Sequence, residues 1–312
     1  MLKHAPFIKL GKDMRRSVFW IKYFISNVSL ALKLLLRGDA GRVFQSSFAR
    51  LYKAVYSVIF RLKAPSLRRK AAPDSSAITL VTSHPVAYSS PDHIVPYGTM
   101  FNNSTNRKFV LYMDQFLSSH FMPGQRAFMD LGCSGGQLVA DFLEIGWLAV
   151  GLEGSDYSLR HRRANWATLA NKNLFTCDIT KPFQVLTDQK PLGCHLITMW
   201  EVLEHINTND LPQLFENISN HLVDGGIFIA STASGPSIVN GVELHQTRWT
   251  NEQWQRFVSE RVSNMAPINV GLKTHQYVRF DFGEPSFLVY QKEGSHGQAR
   301  REAVSASRDV RA

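Results

Sequence analysis

Cysteine is scarce and odd in number: Cys133, Cys177 and Cys194 are the only three in 312 residues. None stands at the paired spacing of a zinc site, and an odd count builds no disulfide framework, so a reducing compartment is expected. Acids are nearly missing from the first 72 residues, which hold 16 Lys and Arg against two Asp. The remaining 240 residues carry 19 basic and 23 acidic residues, so the net charge of +10 belongs to the N-terminal stretch. That remainder shows no basic groove, which argues against a nucleic-acid substrate. The run Ser17 to Leu36 has the length of a bilayer span, about 20 residues. It carries Lys22, Asn27 and Lys33, and no small-residue cleavage site follows it. Peripheral attachment is therefore expected, rather than a span or a secretory signal.

The basic stretch has helical periodicity. Val18, Ile21, Ile25, Val28, Leu32 and Leu35 recur at three- and four-residue steps, and Phe44, Phe48, Leu51, Val55, Val58 and Leu62 repeat the pattern. Gly38 and Gly41 separate the two runs. Basic amphipathic helices with Trp20, Tyr23 and Phe24 suit an anionic membrane surface; packing on the body or recruiting RNA are the alternatives.

Further along, Asp130-Leu-Gly132-Cys-Ser134-Gly-Gly136 sits between two apolar runs, Arg126 to Leu131 and Leu148 to Leu152, and Glu153 closes the second. Helical spacing of Leu138, Phe142 and Ile145 fills the interval, which predicts a strand, a glycine turn, a helix and a second strand ending in an acid. The dinucleotide pattern G-x-G-x-x-G is missing, since Ser134 and Gln137 stand where its second and third glycines would be. Asp130, two residues before Gly132, would repel a phosphate but suits an ammonium or sulfonium group.

These residues resemble the first motif of class I S-adenosylmethionine-dependent methyltransferases, D/E-x-G-x-G-x-G, with Asp130, Gly132 and Gly136 matching and Ser134 replacing the middle glycine. The resemblance implies a Rossmann-like α/β fold, a seven-stranded sheet with helices on both faces, and S-adenosylmethionine as cofactor. It places Asp130, Gly132, Ser134, Gly136 and Glu153 around the donor, with Glu153 on the ribose. Asp178, ending the strand Asn173 to Asp178, then meets the adenine amino group, with Ile179 beside the ring. Cys194 to Trp200 is a fourth strand, leading to Glu201 at the same site. A helix from Leu211 to Leu222, a turn at Asp224-Gly225-Gly226 and a strand Ile227 to Ala230 follow. The helix Asn251 to Val262 precedes an antiparallel pair, Lys273 to Phe282 and Ser286 to Gln291.

An oxygen acceptor needs its proton removed, and His205 and His245 are the candidate catalytic bases. Glu201-x-x-Glu204-His205 also resembles a pattern of quinone-ring O-methyltransferases that is associated with a divalent metal, so Mg²⁺ is an option there, although the pattern recurs without metal. Asp92, His93 and Tyr97 are candidates to cover the cofactor or line the acceptor pocket, or to belong to a loop ordered by Pro91, Pro96 and Gly98.

The expected organisation is a basic helical extension (1–72), a linker and cap (73–118), the methyltransferase domain (119–292) and a disordered tail (293–312). The expected function is methyl transfer to a hydroxyl of a small-molecule, glycan or lipid-linked acceptor at the cytoplasmic membrane surface. A nucleic-acid or protein methyltransferase, and a non-catalytic scaffold, are the alternatives.

Overall fold

The computed structural model describes residues 54–68, 77–96, 106–121, 124, 126–271 and 286–294. The chain divides into two compact units, 1–58 and 59–312. The first apolar run, Ser17 to Leu36, and Tyr97 lie outside the described residues. Among the described residues no helix is long and apolar enough to cross a membrane.

One seven-stranded sheet organises the larger unit. In sheet order its strands are β11 (Met265–Pro267), β12 (Ser286–Lys292), β8 (Leu222–Thr232), β7 (Cys194–Trp200), β2 (Ala127–Leu131), β3 (Leu148–Glu153) and β4 (Leu174–Thr176). The strands from β8 to β4 run parallel, and β12 is antiparallel to both β8 and β11. This is the reversed end expected from the resemblance. At its far end β12 pairs with Met265–Pro267, and the expected partner 273–282 lies outside the described residues.

Burial explains the sequence pattern. Every residue of β2 and β3 is buried, as parallel strands covered on both faces must be, so these strands read as apolar runs rather than alternations. Helix α4 (Gln137–Glu144) packs Leu138, Val139 and Phe142 on one face, and Phe142 stacks on Phe128 at 4.0 Å. On that face, α3 (Arg107–Ser118) buries Phe109, Val110, Met113 and Leu117. Phe60 and Ala64, in the helix 54–68 (α1), join the same cluster, with the Arg107 guanidinium over the Phe60 ring. The opposite face is covered by α7 (Leu211–His221) and α8 (Asn251–Arg261) through Leu214, Phe215, Trp254 and Val258.

Two features depart from the linear pattern. The Asp224-Gly225-Gly226 stretch is not a turn before a strand. It is a bulge within β8, with Leu222 opposite Cys194 and Ile227 opposite Leu196. Gly225 has φ +78°, and a Cβ on Gly226 would sit 2.8–2.9 Å from the carbonyls of Val223 and Cys194. Second, β1 (Ile78–Thr82) pairs antiparallel with β5 (Phe183–Thr187), which also pairs with β6 (Lys190–Pro191). This small sheet joins the segment before α3 to the body, and His221 of α7 accepts from the Val185 N–H at 3.1 Å. Beyond β12, the Glu293 N–H still donates to Asn264 O, and 295–312 lies outside the described residues.

Candidate active site

All the motif residues stand at the carboxyl ends of the parallel strands, on either side of the point where the order reverses between β2 and β7. The glycine loop leaves β2 through Gly132, whose φ is +77° and whose Cβ position is filled by the Val202 side chain. Gly136, at φ +74°, faces Leu174 at 2.5 Å. Neither position has room for a side chain, and both need left-handed backbone. Ser134 adopts φ +47°, so the serine keeps the left-handed conformation that a glycine would take. Glu153, at the end of β3, closes the loop from outside: its Oε2 accepts from the Ser134 N–H at 2.7 Å and its Oε1 from Ser155 N–H at 3.4 Å.

Asp130 is only 2 % exposed and accepts a 2.6 Å hydrogen bond from the Thr198 hydroxyl. Burial pushes its carboxyl up to about 7; the Thr198 bond opposes this and the neighbouring Glu153 charge adds to it. A cation brought to this pocket would draw the proton off. At the end of β4, Asp178 and Ile179 are buried; the Asp178 Oδ1 accepts from the N–H and hydroxyl of Thr180, and Asn217 donates to Ile179 O.

Beyond β7 the backbone turns at Glu201, with φ +55°, and the Ser231 hydroxyl donates to Glu201 Oε1 at 2.6 Å. A 3₁₀ turn over Leu203–His205 follows. Glu204 is fully buried, and its Oε1 accepts from the Ala233 N–H at 3.1 Å. Burial, then the Glu201 charge, holds its carboxyl well above the usual range. The backbone N–H groups of Gln246 and Thr247 donate to Glu204 O, which fastens the loop bearing His245 to this turn. The His205 and His245 rings meet edge to face, 4.8 Å between centroids.

The two imidazoles differ. His245 places Nδ1 2.5 Å from Gly235 O, so that nitrogen carries the proton. Burial lowers its pKa, the Gly235 bond opposes this and His205 reinforces it. For His205, burial also works downward, but Asp92, with Glu204 and Glu201, outweighs it and the net shift is upward.

Ligand atoms of Glu204, His205 and His245 lie within 4.8 Å of one another, a group that does not include Glu201. Mg²⁺ seeks oxygen ligands, and this set offers two ring nitrogens and a carboxyl held toward its neutral form. The donors do not fit that ion.

A methyltransferase-domain family model matches residues 111–267, half of the chain. The chain belongs to this methyltransferase family. Among curated proteins none matches the sequence. In fold, the chain is similar to an S-adenosylmethionine-dependent methyltransferase from Clostridium acetobutylicum, at 12% identity and TM-score 0.42, over 65% of this chain and 96% of that one. A magnesium protoporphyrin IX methyltransferase from Synechocystis with bound SAH aligns at 13% identity and TM-score 0.43, over 66% and 96%. An amino pentose methyltransferase from Micromonospora echinaspora gives 14% and 0.41, over 64% and 95%.

Several residues around these motifs carry no linear signal. Thr198 reaches Asp130 only because the parallel register of β2 and β7 sets them side by side. Trp166 donates from Nε1 to Ser134 O at 2.6 Å, and Asn165 donates to Gly135 O, so a segment some 30 residues on clamps the glycine loop. A polar residue at the matching depth of a neighbouring parallel strand is the one clue that would have singled out Thr198. The three cysteines are buried and form no disulfide, and burial raises all three thiols, that of Cys177 to about 12, so none is a poised nucleophile.

Proposed function

We propose that this methyltransferase moves the S-adenosylmethionine methyl onto a hydroxyl oxygen of a small-molecule, glycan or lipid-linked acceptor at the cytoplasmic membrane surface. The observation that carries the oxygen acceptor is the His205–His245 pair, 4.8 Å between rings, with His205 on the turn that begins beside the glycine loop at Val202 and His245 on the loop fastened to that turn. A hydroxyl is a weak nucleophile until its proton has somewhere to go, and a positioned imidazole contributes about 10² to 10⁴-fold. Asp130, Gly132, Ser134, Gly136, Glu153, Asp178, Ile179 and Glu201 are proposed to hold the donor. Alignment of methyl and oxygen supplies much of the remaining rate.

The membrane part of the reading rests on the basic extension, where Val18, Ile21, Ile25, Val28, Leu32 and Leu35 recur at helical spacing beside Lys22 and Lys33. Such a row with flanking cations fits an anionic headgroup layer.

Methyl-labelled S-adenosylmethionine, incubated with the full chain and separate lipid, glycan, protein and nucleic-acid fractions, tests the acceptor. Label in lipid or glycan is expected; label confined to protein or nucleic acid overturns the reading. Salt-sensitive flotation with phosphatidylglycerol vesicles tests the surface, and failure to float removes the membrane from it.

A further inference from the structure

Residues 83–96 run as a strap across the carboxyl ends of three sheet strands. The Asp178 N–H, after β4, donates to His84 O at 2.9 Å, and the Ala87 N–H donates to Gly154 O, after β3, at 2.9 Å. His93 Nδ1 stands 3.9 Å from Asp156 Oδ1. The last anchor is beyond β7, where Asp92 Oδ2 lies 2.7 Å from His205 Nδ1. The short helix α2 (Pro91–Ile94) sets this carboxylate: Ser90 caps it by accepting from the Asp92 N–H, and Pro91 starts it. The approach of Asp92 to the ring is close but oblique. Such contacts commonly tighten once substrate is bound.

We infer that Asp92 is a positioning residue, holding the proton of His205 on Nδ1 so that Nε2 is free to take the acceptor proton. This rests on the proposed oxygen methylation. In the step, the acceptor oxygen lone pair forms the new bond to the methyl carbon and the carbon–sulfur bond breaks. Its electron pair goes to sulfur, which leaves as the neutral thioether of S-adenosylhomocysteine, and the hydroxyl proton passes to His205 Nε2. The imidazolium so formed faces the Asp92 carboxylate. Because Asp92 comes from the strap and His205 from the β7 turn, the base is complete only while the strap lies across the strand ends.

The groups facing His205 are Asp92 from the strap, Glu201 and Glu204 from its own turn, and His245 from the following loop. The four groups are distinguishable by substitution. Nitrogen-15 histidine spectra of the full free chain report the tautomer and titration of each ring, with His205→Gln identifying its signals. With Asp92→Asn, the His205 pKa is expected to fall, and the tautomer to shift toward Nε2–H, because an amide can donate where the carboxylate accepts. Asp92→Glu is expected to restore part of both. A His205 tautomer and pKa unchanged by Asp92→Asn overturn the inference.

Turnover is read with labelled S-adenosylmethionine and the lipid and glycan fractions as acceptor source. Asp92→Asn should lower the plateau by about 10-fold or more, and move the acid limb to lower pH, with S-adenosylhomocysteine affinity unchanged. In the His205→Gln background it should add nothing. An equal loss in both backgrounds also overturns the inference. Wild-type chain that labels neither fraction, while its His205 responds to Asp92 as described, fails the proposed function and leaves the pairing intact.

Discussion

The carboxylate of Glu153 and the backbone of Ser134 are joined by a 2.7 Å hydrogen bond, so the acid at the end of β3 holds the glycine loop. Glu153 thus has two partners to serve, the loop amide and, on the resemblance, the ribose hydroxyls. Glu153→Ala should cut S-adenosylhomocysteine affinity by about 10- to 100-fold, since a hydrogen bond to a charged group contributes about 1.5–3 kcal/mol. Glu153→Gln should lose less. Calorimetric titration of the folded variants measures both; unchanged affinity in Glu153→Ala would remove this residue from the donor site.

Gly132 and Gly136 should not tolerate alanine. Left-handed backbone costs a side-chain-bearing residue about 1–2 kcal/mol, and the clash with Val202 or Leu174 adds about 1–3 kcal/mol. Ser134, already at φ +47°, should accept glycine with little change in stability. Thermal denaturation of Gly136→Ala and Ser134→Gly gives the contrast. Equal melting temperatures would show the loop to be less constrained than its geometry.

Cofactor affinity should depend on pH through Asp130. Its folded pKa is raised to about 7, so the stability tied to its neutral form is full below the unfolded value and is lost as pH rises through about 7. A cationic donor opposes this by favouring the carboxylate. S-adenosylmethionine should therefore bind about 10-fold more tightly at pH 8 than at pH 6, in proportion to the ionised fraction. Thr198→Val removes the bond that lowers this pKa and should push the midpoint higher. A flat affinity profile, measured by calorimetry, counts against contact between Asp130 and the donor.

His221 ties the small sheet to α7 as a neutral ring, with Nδ1 on Asn217 O and Nε2 accepting from Val185 N–H. Burial lowers its pKa against the opposing Asn217 bond, so its contribution is present above the unfolded value, about 6.5, and fades as pH falls below it. His221→Phe keeps the ring beside Phe183 but leaves Val185 N–H unpaired, at a cost of about 1–3 kcal/mol. Denaturant melts at pH 7.5 and 5.5 should show a smaller pH dependence in the variant than in the wild type.

The parallel strands β2, β3 and β7 were legible because each is a short, largely buried apolar run with an acid at or next to its end, Asp130, Glu153 and Glu201, a pattern that burial on both faces enforces locally. The strand Ile78–Thr82 was not, since its partner Phe183–Thr187 lies about a hundred residues away and its exposed alternate positions look like linker. The β8 bulge was read as a turn because glycine pairs mark both, and only the neighbouring strand decides between them.

At the site, the sequence by itself determined the left-handed turns at Gly132 and Gly136 and the acids at Asp130 and Glu153, because backbone sterics and strand ends are properties of a few adjacent residues. Tertiary structure decided the rest: Thr198 against Asp130, Trp166 on the loop, His245 against His205, and Asp92 across from His205. Those pairings depend on parallel register and on the path of the strap, which set distances between segments that no local spacing encodes.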